Sequence, residues 1–173
     1  MLIEAFELEM VSPPCDPGSE RWSAFLRLEG DIREVLPYLN ALWPGAIYDP
    51  GVPVLTMVRG GRRYSLRPLE IGVSNVRDRE DAQQIAERLV REINGLWDRR
   101  ESIIPSTETR RRPGVMEVYR LLPGGNCRSC GEATCFIFAT KLVAGQLEWD
   151  RCSRLFEHGQ GLQRETLESA FSG

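Results

Sequence analysis

Alternation of apolar and polar residues dominates the first half of the chain, with the period of strands that have one buried face. Such alternating or strongly apolar runs occupy residues 5–10, 24–28, 52–58, 62–67 and 69–73. Gly60-Gly61 lies between two of these runs and is suited to a tight hairpin turn. The pattern therefore predicts a small antiparallel sheet of three or four strands.

Two other segments have the 3.6-residue apolar period of helices that pack on a sheet. In the first segment, residues 32–42, Asp31 resembles a helix N-cap and Glu34 the reciprocal acid three residues later. Pro37 instead favours a helix that begins near residue 37. In the second, Asp78 is a candidate cap. Its apolar stripe consists of Ala82, Ile85, Leu89, Ile93 and Trp97. Together with the strands, these helices predict a compact α+β domain over residues 1–99.

The rest of the chain is predicted to form a linker and a mainly helical domain. Residues 100–112 contain Pro105 and three consecutive arginines, so we predict an exposed linker. These arginines are interpreted as a solvated stretch, the alternative being a docking surface for an acidic partner. Over residues 113–173, helices are predicted from Pro113 to Leu122, over 133–144 and in the tail from Leu155.

The composition and charge of the chain argue against several classes of function. The formal net charge of −3 gives no global case for nucleic-acid binding. No apolar run reaches the roughly 20 residues of a membrane span. The first residues carry acids where a signal peptide carries Lys or Arg, so a cytoplasmic protein is expected. His158 is the only histidine, expected on the surface of the tail helix, and a His-dependent catalytic triad is therefore disfavoured.

Four of the five cysteines lie between residues 127 and 152, in the order Cys127, Cys130, Cys135 and Cys152. In a reducing compartment such a group indicates metal or redox chemistry rather than a disulfide framework. Four thiolates can converge on one iron–sulfur core. Structural zinc is the main alternative, and a Cys127–Cys130 dithiol is a third. Cys15 is predicted to be a free thiol.

Residues around these cysteines are also expected to contribute to the site. Gly131 is expected to let the loop bend, and Cys135 is expected near a helix N-terminus, where free amide N–H groups favour an anionic cluster. Residues 124–126 are expected to offer further backbone N–H groups to the sulfurs. Four aromatic residues are expected to shield the site from water: Phe136, Phe138, Trp149 and Phe156.

The segment from Leu122 to Cys135, continued by residues 138–145, resembles the small iron–sulfur domain of the corrinoid iron–sulfur protein large subunit. It is also similar to a domain of the B subunit of Rnf-type electron-transport complexes. The resemblance covers about residues 113–156. It implies that the four cysteines at 127, 130, 135 and 152 hold one [4Fe–4S] cluster. One position departs from the family pattern, because Ser153 stands where proline usually follows the fourth cysteine.

The resemblance extends neither to the corrinoid-binding barrel of the first family nor to the membrane helix of the second. Residues 1–99 are similar to the N-terminal part of small proteins with the same iron–sulfur domain, which implies no activity. We therefore expect a non-enzymatic one-electron carrier whose partner is an anaerobic oxidoreductase or a corrinoid protein. The alternatives are a redox sensor, a cluster- or zinc-stapled interaction module, and an electron-supplying subunit of a larger enzyme.

Overall fold

The computed structural model describes residues 1–12 and 21–171. Contacts within the chain divide it into two compact units. The first comprises residues 1–57 with 62–110, and the second comprises residues 58–61 with 111–173. Cys15 and the turn-rich segment around it lie outside the described residues, so the prediction of a free thiol there stays a prediction.

The first unit contains an antiparallel sheet of six strands rather than three or four, so its predicted size was wrong and its α+β class is confirmed. The strands are β1 (Phe6–Val11), β2 (Trp22–Leu28), β3 (Ile47–Asp49), β4 (Val54–Arg59), β5 (Arg62–Arg67) and β6 (Glu70–Val76). Their order across the sheet is β1-β2-β6-β5-β4-β3. Gly60 and Gly61 join β4 to β5, and both have positive φ, as a tight hairpin turn requires.

Two helices pack with this sheet: α1 (Leu36–Leu42) and α2 (Arg79–Asp98). A 3₁₀ turn over Arg33–Val35 precedes α1, and Pro37 lies in the first turn of α1, where its missing N–H costs nothing. The predicted cap at Asp31 was wrong, because its carboxylate accepts from the backbone N–H of Arg33 and caps no helix. In contrast, Asp78 caps α2 as predicted, accepting from the Asp81 N–H at 2.8 Å.

Asp81 is a buried carboxylate at the start of α2 and connects it to the sheet. It accepts two hydrogen bonds from Arg62 Nη2, at 2.8 and 3.0 Å, and one from the Arg77 backbone N–H at 3.0 Å. Burial acts to raise the pKa of Asp81, but the hydrogen bonds from Arg77 and the charges of Arg62 and Arg77 outweigh it and hold the pKa below its usual value. The ionised form is therefore the stabilising one.

We expect Asp81→Asn to lower the free energy of unfolding of the first unit by about 2 kcal/mol at pH 7, because it leaves Arg62 without its anionic partner. Because the folded-state pKa of Asp81 is lowered, its carboxylate stabilises the folded state at pH values above the unfolded-state pKa of about 3.9. This contribution is lost as the pH falls through the folded-state pKa. Denaturant unfolding at pH 7 and below pH 4 should therefore show the difference from wild type shrinking in acid. Glu87→Gln, which removes an exposed pair with Arg91, should change stability by under about 0.5 kcal/mol. Equal effects of the two variants would contradict this assignment.

The segment after α2 has a short 3₁₀ turn over Arg100–Ser102 and then no helix or strand until residue 115. Part of it is fixed to the first unit. Asn40, fully buried on α1, donates from Nδ2 to the backbone carbonyls of Ser106 and Glu108, each at 3.0 Å. The backbone N–H of Ser106 donates in turn to the Pro37 carbonyl. The backbone of residues 106–108 is therefore held to α1 by hydrogen bonds, while Thr107 and Glu108 stay exposed.

The second unit is built from short helices: α3 (Val115–Leu121), α4 (Cys135–Val143) and α5 (Gly161–Phe171). Two 3₁₀ turns, Trp149–Arg151 and Ser153–Phe156, lie between α4 and α5. Gly145 has a φ of 66° two residues after α4 and ends it as predicted. The buried core of this unit consists of Val118, Leu122, Phe138, Ala139, Leu142, Leu147, Cys152, Leu155 and Leu167. Across residues 1–12 and 21–171, every helix is too short or too polar to cross a membrane.

Candidate metal centre

The second unit brings the four predicted cysteines together around one space, which we call the cysteine hollow. Cys127 and Cys130 lie in the loop between α3 and α4, Cys135 is the first residue of α4, and Cys152 lies between the two 3₁₀ turns. All four are free thiols. The hollow has a volume of about 370 Å³, part of which is open to solvent.

Burial differs from one cysteine to the next. Cys127 is exposed, Cys130 and Cys135 are half-buried, and Cys152 is buried. Among the described residues, no three His, Cys, Asp or Glu side chains meet at the position of a single metal ion. The burial of the four thiols therefore increases from Cys127 at the exposed edge of the hollow to Cys152 at its base.

Left-handed backbone conformations bend the loop that carries the first two cysteines. Asn126 has a φ of 43°, Arg128 of 62° and Gly131 of 86°. The Gly131 N–H donates to the Arg128 carbonyl at 2.9 Å and closes the turn. Gly131 therefore provides the bend that the sequence predicted, because glycine adopts positive φ without steric cost. Asn126 is the kind of residue that tolerates the same region.

The first turn of α4 is capped by side chains. Asn126 Oδ1 accepts from the backbone N–H of Cys135 at 2.8 Å, and Thr134 Oγ1 accepts from that of Ile137 at 3.1 Å. The prediction that these amides are free to favour an anionic group was therefore wrong for Cys135 and Ile137. Asn126 instead connects the loop before Cys127 to the residue that carries the third thiol.

Cys127 and Cys152 lie in opposite electrostatic environments. A hydrogen bond from the Ser129 hydroxyl, 3.3 Å from Cys127 Sγ, lowers the pKa of Cys127, and Arg154 adds to the effect. Burial raises the pKa of Cys152, with a further contribution from the charges of Cys130 and Cys135. Deprotonation is therefore easier for Cys127 at the exposed edge than for Cys152 at the buried base.

The expected aromatic shield is only partly present. Phe138 is 1% exposed and lines the hollow beside Leu122. Phe136 and Phe156 are 47% and 53% exposed, and neither lines the hollow. These two rings contact Tyr119 and Trp149 instead, with centroid distances of 5.8 and 6.0 Å.

His158 was predicted on the tail helix, but it is exposed in the turn before α5 begins at Gly161. The 3₁₀ turn that contains Leu155 ends at Phe156, and Gly159, with a φ of 90°, separates it from α5. The tail is therefore helical in two pieces.

The donors around the hollow fit an iron–sulfur cluster. Four thiols supply the ligand type that such clusters use, and buried apolar side chains form the base of the same space. Gly125 and Asn126 line the same space and are both exposed. The hollow could therefore hold a sulfur-ligated group with one side near solvent.

Residues 122–154 match a protein-family model described as "Putative Fe-S cluster". The chain is 46% identical over 55 residues to the acetyl-CoA decarbonylase/synthase complex subunit gamma of Methanothermobacter thermautotrophicus. Against the same subunit of Methanopyrus kandleri it is 50% identical over 53 residues. Against the corrinoid/iron-sulfur protein large subunit of Moorella thermoacetica it is 36% identical over 55 residues.

Each of these alignments covers 31–32% of this chain and 11–12% of the relative, so the chain spans about a tenth of the length of the curated relatives it matches. No solved structure matches the chain. The likeness predicted from the cysteine segment is confirmed for the C-terminal region, which is similar to the gamma subunits and to the corrinoid protein, and this similarity supports an iron–sulfur protein.

Proposed function

We propose that this protein holds one [4Fe–4S] cluster through Cys127, Cys130, Cys135 and Cys152 and passes single electrons to a partner protein. The observation that carries the proposal is that all four thiols line one hollow within the segment that matches the Fe–S cluster family. Four cysteines supply one ligand for each iron of such a cluster. No iron then has an open position for a substrate, which supports a carrier or accessory subunit rather than an enzyme.

The side chains around the hollow suit this role. A bound [4Fe–4S] cluster accepts and releases one electron at a time. Phe138 and Leu122 keep water from the buried side, while the exposed Cys127 brings one ligand to the surface, where a partner can approach. The Ser129 hydroxyl donates to the Cys127 sulfur, and such a hydrogen bond stabilises negative charge on the ligand.

The names of the relatives support a protein partner. Two of them are gamma subunits of acetyl-CoA decarbonylase/synthase complexes, and the third is the large subunit of a corrinoid/iron-sulfur protein. We infer that this chain serves an anaerobic oxidoreductase or a corrinoid protein in the cytoplasm. In this proposal the cluster domain extends over residues 113–173, after a linker at 100–112, and residues 1–99 form a separate domain.

Anaerobic reductive titration tests the electron count. We expect purified protein that contains iron and sulfide to take up about one electron per chain from dithionite, with loss of visible absorption. Reoxidation with a measured amount of ferricyanide should remove the same number of electrons per chain. Uptake of two electrons per chain, or none, would contradict a single one-electron centre. Zinc-loaded protein is the control and should take up no electrons, because zinc has no redox chemistry.

A further inference from the structure

Arg154 lies at the exposed edge of the cysteine hollow, beside Cys127. Both residues line the hollow, and the positive charge of the guanidinium acts on the Cys127 thiol. Glu157 also contacts this guanidinium, with Oε2 3.4 Å from Arg154 Nε. Arg154 is thus a cation that is paired with a carboxylate and lines the hollow together with Cys127.

Gly125 leaves the space that this guanidinium occupies. A Cβ placed on Gly125 would lie 2.6 Å from Arg154 Nη1, which is too close for any real contact. The backbone of Gly125 is outside the left-handed region, so alanine is compatible with its conformation. An alanine there would consequently push the arginine away rather than strain the loop.

The acid among the described residues that line the hollow is already paired. Glu132 is bound by Lys141, with Nζ 2.7 Å from Oε2. Glu132 therefore does not offset the charge of Arg154, and Glu157 is the carboxylate that does. The charge that Arg154 presents to Cys127 then depends on two neighbours: Gly125, which leaves room for the guanidinium, and Glu157, which partly neutralises it.

We propose that Arg154 is a positioning residue that raises the reduction potential of the centre, with Gly125 providing its place and Glu157 moderating its effect. This inference rests on the proposed role of Cys127 as a ligand. Reduction adds one electron and no proton, so the ligand sulfurs become more negative. A guanidinium beside one sulfur stabilises that added charge, because opposite charges attract strongly where solvent is partly excluded.

The test is an anaerobic redox titration followed by EPR, with dithionite as reductant and soluble mediators. We expect Arg154→Gln to lower the ratio of reduced to oxidised protein at the wild-type midpoint by roughly tenfold, which is about 59 mV for one electron. Arg154→Lys keeps the charge and should shift the midpoint less. Arg164→Gln, the matched control, removes an arginine that lies over Phe156 and does not line the hollow, and it should leave the midpoint unchanged.

Two further variants separate a charge effect from general damage. Glu157→Gln should move the midpoint in the opposite direction, to higher potential, because it removes the opposing charge. Gly125→Ala should lower the midpoint in the wild-type background but not in Arg154→Gln, where no guanidinium remains to displace.

Unchanged midpoints in Arg154→Gln and Glu157→Gln at full iron content would overturn this inference and leave the proposed function intact. Absence of iron from the wild-type protein would overturn the proposed function itself. If Arg154→Gln lost its iron, the midpoint of Glu157→Gln, which retains the arginine, would be the deciding measurement. A shift of that midpoint to higher potential would support the inference, and no shift would refute it.

Discussion

Cys152→Ala is expected to lose nearly all of its iron while the first unit stays folded. Cys152 is the only one of the four thiols buried at the base of the hollow, and no other cysteine lies near it in sequence. Removing an outer-shell partner typically costs roughly tenfold to a hundredfold in metal affinity, and removing a ligand should cost more. Iron and sulfide per chain after anaerobic purification give the measurement.

Cys15→Ala is the matched control, because it removes a cysteine far from this segment of the sequence. It should keep the iron content of the wild type. If Cys152→Ala retained full iron and an unchanged EPR spectrum, the fourth ligand would have been assigned wrongly. Circular dichroism of both variants should show that the secondary structure of the sheet is retained.

Phe138→Ala is expected to have the largest effect on the stability of the second unit, about 3–5 kcal/mol. Its ring is 1% exposed and lies between the core of this unit and the hollow, so truncation leaves a cavity and lets water reach the buried side. That loss is comparable to the whole stability of a small domain. We expect low iron occupancy and fast loss of bound iron to a chelator.

Phe136→Ala provides the comparison within the same helix. Phe136 is 47% exposed and makes an edge contact with Tyr119, so its truncation should cost about 1 kcal/mol. Denaturant unfolding of the iron-free proteins separates the stability effect from cluster loss. Equal destabilisation by the two variants would contradict the burial of Phe138 and the exposure of Phe136 on α4.

Residue periodicity was sufficient to predict much of the secondary structure of the first unit. The apolar stripe of α2 follows from a strong 3.6-residue pattern, and the cap follows from the residue type of Asp78 directly before it. Strand β3 was missed because three residues, Ile47–Asp49, are too few to show a period. The start of α1 was ambiguous because Asp31 and Pro37 gave conflicting signals, and Pro37 determined where the α-helix begins.

At the site, the sequence identified the four cysteines, because their spacing and the residues between them form a specific motif. It did not identify Asn126 as the side chain that connects the loop to Cys135, or Arg154 as the neighbour of Cys127. Both contacts depend on the folded path of the chain. An asparagine directly before the first cysteine was the one available signal, since asparagine favours left-handed turns.

The shielding role of the aromatic residues was the least predictable feature. Phe136 and Phe138 are two residues apart on α4, so one faces solvent while the other is buried. Which of them lines the hollow depends on how α4 packs against α3 and not on composition. Helical phase cannot be fixed from a nine-residue segment in which most positions are apolar.

The most direct test of the central claim is the metal content of protein purified without oxygen, measured as iron, acid-labile sulfide and zinc per chain. We predict about four irons and four sulfides, no zinc, and a paramagnetic EPR signal that develops when dithionite is added. One zinc per chain, with neither iron nor an EPR signal, would contradict the account. The four cysteines would then form a structural zinc site in an interaction module.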